Sequence, residues 1–150
     1  MLSSFLKKLL FARQFFMIDG KIEVLGKRQV MLPSSIMDEL AKNQKSPEKS
    51  IKTAMRNEIA DYAKKVGGSE EGMLANITYI FETFGLGKLE LSDLDNKNKR
   101  CIIRLHNPTL GDQKITASVL AGTFSFLFQK DVNAELKPGR KGEYEEFVIQ

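Results

Sequence analysis

The stretch Ala117–Gln150, ASVLAGTFSFLFQKDVNAELKPGRKGEYEEFVIQ, decides the fold. It reads as an apolar helix, a short strand over VNAEL, a tight basic turn over KPGRKG and a final strand over EYEEFVIQ. Pro138, Gly139 and Gly142 hold the turn, because proline presets φ and glycine frees it where a chain reverses. The helix begins at about Ile115, after the breakers Pro108 and Gly111, and runs to about Gln129. Phe124, Phe126 and Phe128 cannot all share one side of it, so at least one meets another element or a partner subunit.

Upstream of this tail, strands are expected at Lys88–Asp93 and Lys99–Asn107, joined by a polar turn over Asp95–Lys99. Alternation sets Leu89, Leu91 and Asp93 on one face of the first strand, and Cys101, Ile103 and Leu105 against Ile102, Arg104 and His106 in the second. A helix capped by Ser69-Glu70-Glu71 buries Met73 or Leu74 with Ile77, Ile80, Phe81 and Phe84, and Gly85 supplies its left-handed stop. Ser46-Pro47-Glu48 starts a longer helix that reaches Val66. Its apolar residues Ile51, Met55, Ile59, Tyr62 and Val66 fall at a helical period.

A further helix follows Pro33 and runs to about Gln44, with Ile36, Met37 and Leu40 on its apolar side. Before it, Asp19-Gly20 is a two-residue hairpin turn between Phe15–Ile18 and Ile22–Leu25, since both central positions of such a turn need positive φ. Residues 1–14 form a short amphipathic helix with Leu2, Phe5, Leu6 and Leu9 on one stripe. That helix can dock on the domain, make dimer contacts or lie on an acidic membrane surface. Strands and helices come in blocks and do not alternate singly. The expectation is therefore one α+β domain over 1–150, with a mostly antiparallel sheet packed against a helical layer.

Composition narrows the function classes. At 150 residues the chain fits a single core. Its apolar runs are far shorter than the ~20 residues of a membrane span, and residues 1–16 lack the layout of a secretory signal. The net charge of +4 is spread along the chain and interleaved with acids, so a solvated surface explains it better than a nucleic-acid site. One cysteine, Cys101, excludes an intramolecular disulfide and a cysteine-based zinc cluster. It sits in an alternating run, which marks a buried, inert strand thiol and a reducing, cytoplasmic compartment.

Few residues offer chemistry. His106 is the single histidine, so neither a catalytic triad nor a multi-histidine metal site can form. At the end of its strand it reads as a hydrogen-bonded structural residue or as a polar contact at the mouth of an apolar pocket. Gly85-Leu86-Gly87 precedes a strand and does not open a helix, so the dinucleotide fingerprint fails. Gly139-Arg140-Lys141-Gly142 is a soluble hairpin turn before it is a phosphate site. The pairs Asp93 and Asp95, or Glu145 and Glu146, lack a neighbouring base. Ten phenylalanines and six methionines make an adaptable apolar interior. Its candidate pocket residues are Met55, Ile59, Tyr62, Phe81, Phe84 and Phe124, with His106 as polar anchor.

Three segments together resemble the 4-vinyl reductase domain family, which includes hydrocarbon-binding proteins of archaea. They are the strand leading into Leu32-Pro33 and its helix, the turn Phe84-Gly85-Leu86-Gly87-Lys88-Leu89-Glu90, and the Ala121-Gly122 helix followed by Val132–Leu136, Gly142 and Glu146-Phe147-Val148-Ile149. The resemblance spans roughly Val30 to Gln150. It implies a ligand-binding, usually dimeric fold related to TRAPP vesicle-tethering subunits and to haem nitric oxide sensors. Family members that sense aromatic compounds hold zinc through cysteines and an acid at the C-terminal turn. Glu135 matches the acid, but Pro138 and Glu145 or Glu146 stand at the cysteine positions, so no metal is expected. Tyr62, Tyr79, Tyr144 and a lone histidine do not match haem ligation either.

The sequence thus points to a homodimeric domain of this type that binds a hydrophobic, hydrocarbon-like small molecule without a cofactor and without catalysis. No redox cysteine pair, flavin site or nucleotide fingerprint supports a reductase. The alternatives are a TRAPP-like interaction scaffold and a basic binder of nucleic acid or a membrane surface through the N-terminal helix.

Overall fold

The Asp19-Gly20 dipeptide makes the turn its chemistry demands, with φ of 50° and 71° at the two positions. The computed structural model describes residues 15–24, 27–33, 36, 40, 45, 47–66, 70–83, 85–138 and 143–150. The expected N-terminal helix over 1–14 and most of the helix expected after Pro33 lie outside the described residues, as does the turn over 139–142. Strands β1 (Phe15–Ile18), β2 (Lys21–Val24) and β3 (Lys27–Gln29) form an antiparallel meander. The third strand ends at Gln29, three residues short of the expected Leu32. This hairpin docks on the main domain. Arg28 Nη2 donates to the Asn107 carbonyl at 3.0 Å and to Thr109 Oγ1 at 3.1 Å. A methyl group on Gly20 would sit 2.6 Å from the Gly87 carbonyl carbon, so the turn's backbone lies directly on the start of the next strand.

Helix α1 (Glu48–Val66) buries Ile51, Met55, Ile59 and Ala63, four residues apart along one stripe. Helix α2 (Glu70–Thr83) buries Met73, Ile77, Ile80 and Phe81, with Leu74 half-buried beside them. Its end is a paired cap of the glycine type. The Gly85 N–H bonds the Glu82 carbonyl, the Leu86 N–H reaches back to Phe81, and Gly85 adopts φ 67°.

The main sheet contains β4 (Lys88–Asp95), β5 (Arg100–His106), β6 (Ala134–Leu136) and β7 (Tyr144–Ile149) in the order β4-β5-β7-β6, every neighbour antiparallel. Cys101, Ile103 and Leu105 face the core with Leu89, Phe147 and Ile149, as alternation requires. Asp93 does not continue the face of Leu89 and Leu91. The ladder shifts register between Ser92 and Asp95, Asp93 takes φ 49°, and its side chain is exposed. Asp95 then closes the hairpin by accepting the Lys97 and Asn98 N–H groups at 3.0 Å each.

Helix α3 (Gln113–Leu127) starts two residues before the expected Ile115, because Asp112 caps it: its carboxylate accepts the Lys114 N–H at 2.8 Å. The helix lies between α1 and the sheet, which explains why it is buried on nearly every side from Ser118 to Ser125. The buried hydroxyls of Ser118 and Thr123 bond back to the Lys114 and Val119 carbonyls. Gly122 permits the close approach, since a methyl group there would overlap the Lys52 carbonyl oxygen of α1 and lie 2.9 Å from Met55 Cβ. Phe124 and Phe128 are buried, with ring centroids 5.6 Å apart, while Phe126 is half-buried at the margin of the core. Val132 is buried but precedes the strand, its N–H held by Ser125 Oγ at 3.1 Å.

Candidate ligand-binding groove

The sheet face opposite the core carries a chain of charged side chains. Lys137 Nζ lies 3.0 Å from Glu146 Oε1, and Arg104 Nε donates to Glu146 Oε2 at 3.1 Å. Arg104 Nη1 then reaches Glu90 Oε1 at 3.8 Å, and His106 Nε2 meets Glu90 Oε2 at 3.2 Å. Tyr144 lies alongside, its ring centroid 5.3 Å from that of His106 and 5.5 Å from the Arg104 guanidinium carbon. Hydrogen bonds from Lys137 and Arg104 hold the Glu146 carboxyl below the usual range, and the bond to Glu146 raises Arg104. Exposed pairs of this kind contribute little stability. Their effect is to fix where Glu90 and His106 stand.

That end of the chain of charges opens on a groove of about 740 Å³ between α2 and the edge strand β4. Leu74 and Ile77 of α2 and Leu89 and Leu91 of β4 border it on the core side of the sheet, with Ile77 and Leu89 almost wholly buried. Thr78, Lys88, Glu90, His106, Asn107 and Asp19 form the polar part. Asp19 arrives there because the β1–β2 turn docks beside Asn107, whose side-chain amide lies 3.5 Å from the Asp19 carbonyl.

The seven residues singled out in the sequence fall into separate places. Met55, Ile59, Phe81 and Phe124 belong to the buried core between the helices and the sheet. His106 is not among them; it is half-buried on the outer face and lines the groove. The Tyr62 side chain and Phe84 lie outside the described residues. Leu74, Ile77, Glu90 and Asp19 were not expected as partners of His106. The signal for Glu90 lay in the β4–β5 hairpin, which pairs Glu90 with Arg104 and Lys88 with His106, so that Glu90 reaches His106 diagonally.

A second recess of about 390 Å³ lies between α1, α3 and the segment before β6. Its floor is Ala117, Ala121 and Ala134, and Lys52 spans it by pairing with Asp131 at 2.9 Å and Asn133 at 3.1 Å. The bond from Lys52 holds the Asp131 carboxyl below its ordinary range.

At the C-terminal turn, Glu135 is exposed on β6, Glu146 is committed to Arg104 and Lys137, and Gln113 Nε2 donates to Glu145 Oε1 at 3.0 Å. Among the described residues no three His, Cys, Asp or Glu side chains are placed to hold a metal ion. Cys101 is fully buried, and burial pushes its thiol up to about 12. No helix among the described residues is long and apolar enough to cross a membrane.

This arrangement defines a single α+β domain of antiparallel sheets and helices. No protein-family model matches the sequence, and no curated protein matches it. Solved structures do share its shape. The phenol-responsive sensory domain of the transcription activator PoxR, crystallised with phenol, is similar at a TM-score of 0.53 and 15% identity, over 99% of this chain and 90% of that one. Subunit 3 of a trafficking protein particle complex from Naegleria fowleri, covalently bound to palmitic acid, gives a TM-score of 0.45 and 15% identity over 78% of this chain and 89% of that one. The first likeness establishes the fold.

Proposed function

We propose that this chain is a ligand-binding domain of the 4-vinyl reductase type that takes up a hydrophobic small molecule and holds it without chemical change, as a homodimer. The observation that carries this is the likeness to the phenol-responsive domain, which runs through nearly the whole of both chains. In this reading residues from about 30 onward form the ligand-binding unit, and 1–14 add an amphipathic helix. Met55, Ile59, Tyr62, Phe81, Phe84 and Phe124 are the proposed apolar contacts of a guest taken into the core, while His106, on the outer face of the sheet, stands apart from them. Methionine and phenylalanine suit that task, since thioethers and rings repack around differently shaped guests at small cost.

Purified protein extracted with organic solvent, followed by mass spectrometry of the extract and probe uptake by the stripped protein, tests this. A recovered apolar compound or saturable uptake is the expected result. Stripped protein that takes up no apolar probe defeats the proposal.

A second reading, an interaction scaffold, draws on one observation. Phe16, Met17 and Ile18 of β1, with Met31, expose 41%, 46%, 61% and 45% of their surface. Clustered apolar exposure on an edge strand favours association. Light scattering across a concentration series should then show a dimer or larger species that Ile18→Lys dissociates. A monomer at all concentrations sinks it.

A further inference from the structure

The outer face of the main sheet differs in kind between its middle and its rims. Alternation places Ile102, Arg104 and His106 of β5, with Tyr144 and Glu146 of β7, in the middle of this face. Lys88 and Glu90 of β4 stand at one rim. Lys137, just past β6 with its N–H on the Glu146 carbonyl, stands at the other. Arginine and aromatic side chains at the centre, with lysines kept to the edge, is the composition of a protein interface. Arg104 is also fixed before any partner arrives. Its Nε lies 3.1 Å from Glu146, its Nη1 3.8 Å from Glu90, and its guanidinium carbon 5.5 Å from the Tyr144 ring centroid. A side chain held in advance loses little entropy on association. The row stays open to solvent, with side-chain exposure of 38% at Arg104, 52% at Glu90 and 42% at Lys137.

Charge says what the partner is. Across the four strands one row reads Glu90, Arg104, Glu146, Lys137, alternately negative and positive. Reversed, that row is its own complement. When two copies lie face to face about a two-fold axis parallel to the strands, Glu90 of each meets Lys137 of the other. Arg104 then meets Glu146, and His106 meets Tyr144. An axis across the strands would instead set Arg104 on Arg104 and Glu146 on Glu146, and like charges in contact oppose it. Sheets packed face to face keep their strands within about 30° of each other, which preserves the correspondence. Each charge is already paired within its own copy, so covering it costs less than covering an isolated ion. We infer that this outer face binds a second copy of the chain, in an isologous contact centred between β5 and β7. The inference rests on the homodimer reading above and gives the dimer a surface, separate from the exposed edge of β1.

Four strands spaced ~4.8 Å apart make a small interface, so the dimer should dissociate on dilution. Sedimentation velocity over a concentration series of the full chain measures it. Glu90→Lys and Lys137→Glu, each checked for folding by circular dichroism, put like charges across the interface and should each weaken the dimer roughly tenfold or more. An equal mixture of the two variants should recover it, because every cross-copy pair in the mixed dimer is again of opposite sign. Their broken pairs within each copy, Glu90 with Arg104 and Lys137 with Glu146, stay broken in the mixture, so recovery reports only contact between copies. Both variants remain net positive, as the chain carries +4, so overall charge does not draw them together. A mixture that stays monomeric overturns the inference. So does a dimer that both single variants keep and Ile18→Lys loses, which would leave the homodimer standing with its contact at β1. Wild-type protein that is monomeric at every concentration removes this inference and the homodimer together, and leaves ligand uptake to its own test.

Discussion

Arg104 and Glu146 face each other directly across β5 and β7, with Nε 3.1 Å from Oε2, and through this pair the sheet's outer face is wired to the groove. The same arginine reaches Glu90, and Glu90 holds His106. The two carboxylates sit on either side of one guanidinium, an arrangement that suits its planar fork of donors.

Acid should weaken the fold in a predictable direction. Glu146, Asp131 and Asp95 all have carboxyls held below the ordinary range, through hydrogen bonds from Lys137, Lys52 and Asn98 respectively. A group with a lowered folded-state value stabilises the protein above its unfolded value and loses that contribution as pH falls through the folded one. Thermal midpoints measured from about pH 7 down to about pH 3 should therefore fall, most steeply at the acid end of that interval. Glu146→Gln should flatten part of the decline. An unchanged acid limb in that variant would show that Glu146 is not linked to folding.

Gly122→Ala is expected to destabilise the protein by about 1–3 kcal/mol through overpacking against α1. Intrinsic helix propensity alone favours alanine by about 1 kcal/mol. The sign of the change in denaturant midpoint therefore separates the two effects. Stabilisation would mean that the helices can part far enough to admit the methyl group at little cost.

Asp112→Ala should remove the side-chain acceptor of the Lys114 N–H at the start of α3 and cost about 1 kcal/mol. Asp112→Asn or Asp112→Ser should recover most of it, because either side chain can accept the same bond. Urea melts of the three variants check the order.

Cys101 should be silent to Ellman's reagent in the native state at neutral pH and react fully in guanidinium. Its thiol is buried and pushed up to about 12, so the reactive thiolate is scarce. Rapid labelling of folded protein would show that the β5 core opens locally.

Much of the architecture was legible locally. Asp19-Gly20 and Gly85 could be read as they stand because turns and helix ends depend on φ at one or two residues. The stripe Ile51, Met55, Ile59 was visible because burial follows helical period, and Cys101 because it follows strand alternation. What could not be read depends on partners far along the chain. Nothing near Tyr144–Ile149 says that this strand enters between β5 and β6, and nothing near Asp19 says that its turn settles beside Asn107. The candidate site suffers most from this limit. His106 stood out as a lone histidine, yet its partner Glu90 follows only once the hairpin register is known. Phe81 and Phe124 read equally as core and as ligand contacts, because apolar pockets and apolar cores have the same composition.

The order β4-β5-β7-β6 also sets a timetable for synthesis. As the chain leaves the ribosome, the β4–β5 hairpin and the helices emerge first, and β5 waits with one edge unpaired until β7 follows. During that interval Ile103 and Leu105 lack their neighbours Phe147 and Glu145, and β6 has no strand to join. Closure of the sheet is thus a late event, made by a strand that arrives after every element it unites.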